Sequence, residues 1–303
     1  MPRPRLALAG VILLAGCAAA APEPPPSAPV DQDLMSGWRL ARFAFEERQY
    51  DQAAELYARV LERAYASDDL GAIGDVGYEL AVVRLRQLDA SAAALQARQT
   101  RNELRRRGRE PFAELYLVEA VALYELGEPA GAEAMADQAI ALAAGPGDAV
   151  ARRAWFLKGR IAADRADKAG VARALAALGQ AQNPELQADR LELIGRQNLL
   201  DDRPDRALQA FRTSADLRRD AKDYLGMARV LALAGEAAER AGMPSEAADL
   251  YFRAGRSAEV EGGPADARRW LGAAARLAET TGQAEILAQA NDRLARLAKA
   301  EDR

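Results

Sequence analysis

The sequence predicts an all-α protein, a solenoid of about seven helix-turn-helix repeats, and three observations carry that expectation. Of 303 residues 72 are Ala, and Leu, Glu and Arg are abundant too; all of these lose little on entering a helix. Small residues then recur at a nearly fixed period: Ala41, Ala81, Ala120, Gly159, Gly195, Gly235 and Ala275, with spacings of 40, 39, 39, 36, 40 and 40. A second position lies 12 residues after each, at Ala53, Ala93, Ala132, Val171, Ala207, Ala247 and Leu287. Self-similarity at such a period marks stacked supersecondary units, each unable to bury its apolar face alone.

The units follow in order. The first, from residue 34, carries Ala41, Ala53 and an aromatic, Tyr57, four residues further on. The second (Ala81, Ala93) and the seventh (Ala275, Leu287) lack that aromatic. In the third, Gly127 stands where the first helix must end, and Pro129 opens the second helix, where a missing N–H costs little. The fourth has Trp155 and Gly159, with Val171 where Ala is usual. The fifth runs from Leu191, Ile194 and Gly195 through Pro204 and Ala207 to Phe211; the sixth from Leu231 and Gly235 through Gly242, Pro244 and Ala247 to Tyr251. Gly282 ends the first helix of the seventh, and Gly145-Pro146-Gly147, Asn183-Pro184 and Gly262-Gly263-Pro264 mark three junctions between units. The ladder has a packing reason: Gly or Ala lets two helix backbones approach, and an aromatic one turn later fills the space beside them.

Over residues 34 to about 300 this pattern resembles the tetratricopeptide repeat (TPR) family. The resemblance implies a right-handed superhelix of antiparallel helix pairs, one elongated domain over 34–303, with the first helix of each pair lining an inner groove. The period is mostly 39 to 40 against 34 in that family, which calls for longer helices or longer turns between units. A different helical solenoid and a compact bundle are the competing readings, but a bundle needs no small-residue ladder at fixed period.

Ahead of the repeats, Arg3 and Arg5 precede an apolar run from Leu6 to Ala15, the layout of a secretory leader and too short to span a bilayer. Leu14-Ala15-Gly16-Cys17 resembles the lipobox of bacterial lipoproteins, and the sole Cys of the chain stands at its cleavage point. The resemblance implies a signal peptide over 1–16, acylation of Cys17 with palmitate-like chains, and an anchor that is essentially permanent when two or three chains insert. An ordinary leader cut within Ala18 to Ala21 is the alternative. By resemblance to enterobacterial sorting, Ala18 after the Cys directs the protein to the outer membrane, facing the periplasm. Residues 17–33 then form a tether; five prolines in 18–33 favour extended conformations at about 3.1 Å per residue, a reach on the order of 50 Å.

Composition excludes much chemistry. With no His there is no imidazole base, no His-ligated metal and no Ser-His-Asp system; with one Cys there is no internal disulfide or thiolate cluster. Adjacent carboxylates such as Glu46-Glu47 and Asp201-Asp202 point to different helix faces, and Gly71, Gly74 and Gly77 do not form a phosphate loop. The expectation is therefore a protein that is not an enzyme and that uses no cofactor or metal. A net charge of -4 argues against nucleic acid as a partner.

Recognition falls to the inner groove. The residue after each first small position is Arg42, Val82, Val121, Arg160, Arg196, Glu236 or Arg276, with Trp38, Phe45, Tyr78, Tyr124 and Phe156 nearby. Arg beside aromatics is the composition of binding hot spots, and its fork suits carboxylates. Trp38, Arg42, Tyr78, Tyr124, Phe156, Arg160 and Arg196 are the candidate groove for an envelope protein or peptide segment, a scaffold's role. A ligand- or glycan-binding carrier is the second reading; so is an ordinary solvated face. The Arg101–Arg109 run is either a docking patch or a helix end whose arginines complement the macrodipole.

Overall fold

The computed structural model describes residues 31–180 and 183–301. The leader, Cys17 and the tether up to residue 30 lie outside the described residues. Fourteen helices and no strand are found among the described residues. They pair as α1 (Gln32–Glu46) with α2 (Tyr50–Ala66), α3 (Leu70–Arg86) with α4 (Ala90–Arg106), α5 (Ala113–Glu125) with α6 (Pro129–Leu142), and α7 (Ala149–Asp164) with α8 (Lys168–Leu178). Then come α9 (Pro184–Leu200) with α10 (Pro204–Asp220), α11 (Tyr224–Arg240) with α12 (Pro244–Val260), and α13 (Pro264–Thr281) with α14 (Ala284–Glu301). This is an α-solenoid of seven helix pairs. The long period is explained by helix length: in the most regular stretch, helices of 17 residues alternate with three-residue turns.

The turns are made by residues in the left-handed region, followed by a cap. Asp68 has φ 55; its N–H donates to the Tyr65 carbonyl at 3.2 Å, while the Asp69 N–H donates to Ala64 at 3.0 Å, closing α2 as a Schellman motif. The Asp69 carboxylate then accepts from the Ala72 N–H and starts α3. Gly127, Gly242 and Gly282 adopt φ near 74, 75 and 72 at the positions expected from sequence, and Pro129, Pro204 and Pro244 each open a helix. Helix α1 begins at Gln32, two residues inside the span assigned to the tether, because Asp31 accepts from the Asp33 and Leu34 N–H groups and caps it.

The ladder is the core. Ala41, Ala81 and Ala120 are fully buried, as are Ala53, Ala93, Ala132, Val171, Ala207 and Ala247. At Gly195 the Phe211 ring lies so close that a Cβ would overlap it, and at Gly235 a Cβ would be in tight contact with the Tyr251 ring. Each helix packs on its sequence neighbours, and α3, α5, α7 and α9 also pack first helix on first helix across units. The stack winds far enough to meet itself. Arg48, in the α1–α2 turn, pairs with Glu261, in the α12–α13 turn, through two contacts of 3.2 Å. It also lies 5.4 Å from the Tyr224 ring centre at the start of α11.

Candidate binding site in the concave face

The winding brings the first helices of units three to seven around a cavity of about 800 Å³. Its floor is ionic. Glu192 of α9, fully buried, accepts hydrogen bonds from Arg218 Nη2 at 2.9 Å and from Arg196 Nε at 3.2 Å, and Arg160 Nε stands 3.9 Å away. Burial alone would raise its carboxyl, but Arg196, Arg218 and Arg160 outweigh burial and hold it down at about 2. Arg218 also reaches Asp189 at 2.7 Å and Asp223 at 2.8 Å. Asp189 is pushed up to about 6 by burial, against the pull of Arg218 and with the help of Glu192.

Arg160 is 7% exposed and stacks over Tyr124, its Cζ 4.4 Å from the ring centre, with Phe156 at 6.0 Å. The Tyr124 hydroxyl donates to Asp164 at 2.6 Å, and Arg196 holds the same carboxylate at 3.0 Å. Arg229 enters from α11. Leu233, one turn further along α11, Tyr251, Trp270 and Ala273 add apolar surface, and Arg269, its Cζ 5.4 Å from the Trp270 ring centre, Glu236 and Asp266 stand among them, so charged and apolar groups alternate around the cavity.

The seven candidate groove residues fall into three places. Tyr124, Arg160 and Arg196 line the cavity, and Phe156 supports Arg160 from beneath. Trp38 and Arg42 belong to the first unit, where the Trp38 indole N–H and the Arg42 guanidinium both donate to Glu79. Tyr78 packs edge-on against Phe112, 5.9 Å between ring centres. They stand apart from the cavity because winding, not the repeat register, decides which units face each other. Among the other residues at that register, Glu236 lines the cavity, Arg276 pairs with Glu239 at 3.2 Å, and Val82 and Val121 pack against the core.

Sequence reasoning missed Arg229, Glu125, Tyr251 and Trp270 as cavity residues. A signal for two of them existed. Arg229 lies seven residues before Glu236, and Glu125 four after Val121, so both share the face of the register used above; extending that face along each helix finds them. Within the Arg101–Arg109 run, four of the five arginines are paired inside the fold or along the helix. Arg101 is buried, donating to Glu119 at 2.9 Å; Arg105 donates to the Tyr116 hydroxyl; Arg106 and Arg107 pair with Glu103. Among the described residues no three His, Cys, Asp or Glu stand together as a metal site.

No family model matches the chain, and no curated protein matches it. Solved structures do. The apo form of RapI aligns with a TM-score of 0.52 at 12% identity, over 89% of this chain and 77% of that one. A Rap protein complexed with competence and sporulation factor aligns with a TM-score of 0.50 at 14% identity, over 90% of this chain and all of that one. A TPR2AB domain of yeast Sti1 has a TM-score of 0.37 at 13% identity, over 88% of this chain and 98% of that one. The likeness is one of fold, and the fold is TPR-like.

Proposed function

We propose that the protein is a binding scaffold, lipid-anchored through Cys17 to the outer membrane and facing the periplasm, that takes a segment of an envelope protein in its concave cavity. The observation that carries the binding role is the cavity itself, which sets arginines beside apolar and aromatic side chains and draws on five units of the solenoid. A fixed lining that mixes charged and apolar side chains selects partners by both features. In the same spirit, one similar structure is a Rap protein complexed with competence and sporulation factor. The anchor and the periplasmic address rest on the lipobox-like Leu14-Ala15-Gly16-Cys17 and the apolar run before it. Assembly of outer-membrane proteins, of pili or secretins, and recruitment of peptidoglycan-processing enzymes are the processes that suit such a scaffold.

The test is affinity capture from membranes with the wild-type protein, a Cys17→Ala variant and an Arg160→Glu/Arg196→Glu variant. The reading expects Cys17→Ala to leave the membrane fraction and the Arg variant to lose partners that the wild type retains. Retention of every partner by the Arg variant would sink the groove reading. A cavity of about 800 Å³ also falls in the size range of small-ligand sites, which favours a glycan or small-ligand carrier as the second reading. That reading expects a rise in Tm with a soluble ligand and no captured protein.

A further inference from the structure

Two arginines from units that are not neighbours in sequence line the cavity, each with a buried Nε that has no acceptor. Arg160 comes from α7 and Arg229 from α11. Their ion-pair contacts all lie beyond hydrogen-bond range: Glu125 Oε1 stands 3.6 Å from Arg160 and 3.9 Å from Arg229, and Glu192 is 3.9 Å from Arg160. Burial, and then the charge of Arg160, disfavour the charge on Arg229. The charge of Arg160, by contrast, is supported by Glu192, Tyr124 and Glu125. Arg229, with its side chain 29% exposed, is therefore the member of the pair whose charge the fold leaves least compensated, and a group so placed suits a ligand.

We propose that Arg160 and Arg229 form a two-pronged site for a carboxylate of a bound peptide, and that Glu125 stands in for that carboxylate in the free protein. Glu125 is the last residue of α5 and its side chain is 42% exposed, so it swings out at little cost. Nearby acids do not compete in the same way: Asp164 is held by Arg196 and Tyr124, and Asp266 by Arg269 at 2.8 Å. A guanidinium fork takes both carboxylate oxygens at once, a stronger and more directional contact than the distant pairing with Glu125. In the same cavity, Leu233, one turn along α11 from Arg229, Tyr251 and Trp270 offer apolar surface. The ligand is thus a peptide with an acidic residue beside an aliphatic or aromatic one. This inference rests on the scaffold reading and names the chemistry its groove selects.

The experiment uses the full-length protein in detergent on an array of N-acetylated, C-amidated hexapeptides, then titrates the best binder and its Asp→Asn or Glu→Gln analogue by isothermal calorimetry. The expected result is an array preference for acidic next to apolar residues, with the amide analogue binding at least about tenfold more weakly, as loss of a charge-assisted pair implies. Arg229→Gln loses the acid-over-amide preference while its Tm holds or rises; Glu125→Gln binds the acidic peptide severalfold more tightly. Arg229→Lys, which keeps charge without the fork, binds between the two. Equal binding of acid and amide peptides, or full binding by Arg229→Gln, overturns the carboxylate site and leaves the scaffold reading standing. An array with no binder overturns the site as well, and membrane capture then judges the scaffold. A fall in Tm in Arg229→Gln with equal loss of acid and amide peptides marks a structural arginine and also overturns it.

Discussion

Arg48 and Glu261 are 213 residues apart in sequence and pair through both terminal guanidinium nitrogens and both carboxylate oxygens. Between five and six units separate them, so the pair closes one winding of the solenoid. Leu88, in the next turn along that edge, lies beside Gly263, so the two ends of the winding are close at a second point. In a solenoid, where contacts are otherwise between neighbours, such a seam fixes the curvature of the whole.

Charge reversal at Glu261→Lys therefore changes shape more than stability. Arg48 is 48% exposed, and exposed pairs contribute about 0–1 kcal/mol. Small-angle scattering is expected to show a larger radius of gyration, with Tm within a few degrees of wild type. Identical scattering curves would mean that curvature is set by the stacking of units alone.

Gly195→Ala tests the ladder. Its Cβ meets the Phe211 ring, which is fully buried and has no room to retreat. Overpacking of this kind costs about 1–3 kcal/mol, measurable as a lower urea midpoint with an unchanged slope. Gly195→Ala combined with Phe211→Leu should recover part of the loss.

Glu192→Ala leaves Arg196 and Arg218 without their shared buried acceptor. Removing one partner of a buried ionic network typically costs about 3–5 kcal/mol. Because the folded carboxyl is held at about 2, its contribution is present above the ordinary carboxylate range and is lost as pH falls toward 2. Glu192→Gln is expected to lose less stability than Glu192→Ala and to flatten that acid limb in a pH series of urea melts.

Asp189 carries the opposite sign. Burial pushes its carboxyl up to about 6, so the folded protein keeps a proton that the unfolded chain releases near pH 4. Stability contributed by this group therefore falls as pH rises from about 4 to about 6. Asp189→Asn, which cannot ionise, is expected to remove that fall, an effect on the order of 2 kcal/mol between the two pH values. A wild-type profile that matches Asp189→Asn across this window would refute it.

Much of the fold was legible because it is written in residues whose effect is local. Gly127, Gly242 and Gly282 permit the left-handed turn, Pro129, Pro204 and Pro244 suit a helix start, and the Ala and Gly ladder carries the packing distance. Less legible were the turns built on Arg48, Leu88, Ala166 and Lys222, which adopt positive φ without being Gly. No side-chain type advertises that conformation, since the hydrogen bonds closing the preceding helix impose it. In the cavity, Arg160 and Arg196 stand at the register the repeat predicts, and Arg229 lies on the same helix face two turns away. Trp38 and Arg42 share the register as well, yet face Glu79 in the first unit.

By itself, the sequence determined the helices, their pairing and their number, because periodicity, caps and small residues act within one unit or between neighbours. The tertiary structure decided which arginines meet. Small rotations from one unit to the next accumulate, and only their sum brings α7 and α11 to face each other across α9 and returns Arg48 to Glu261. That sum is a property of the stack, carried by no single repeat.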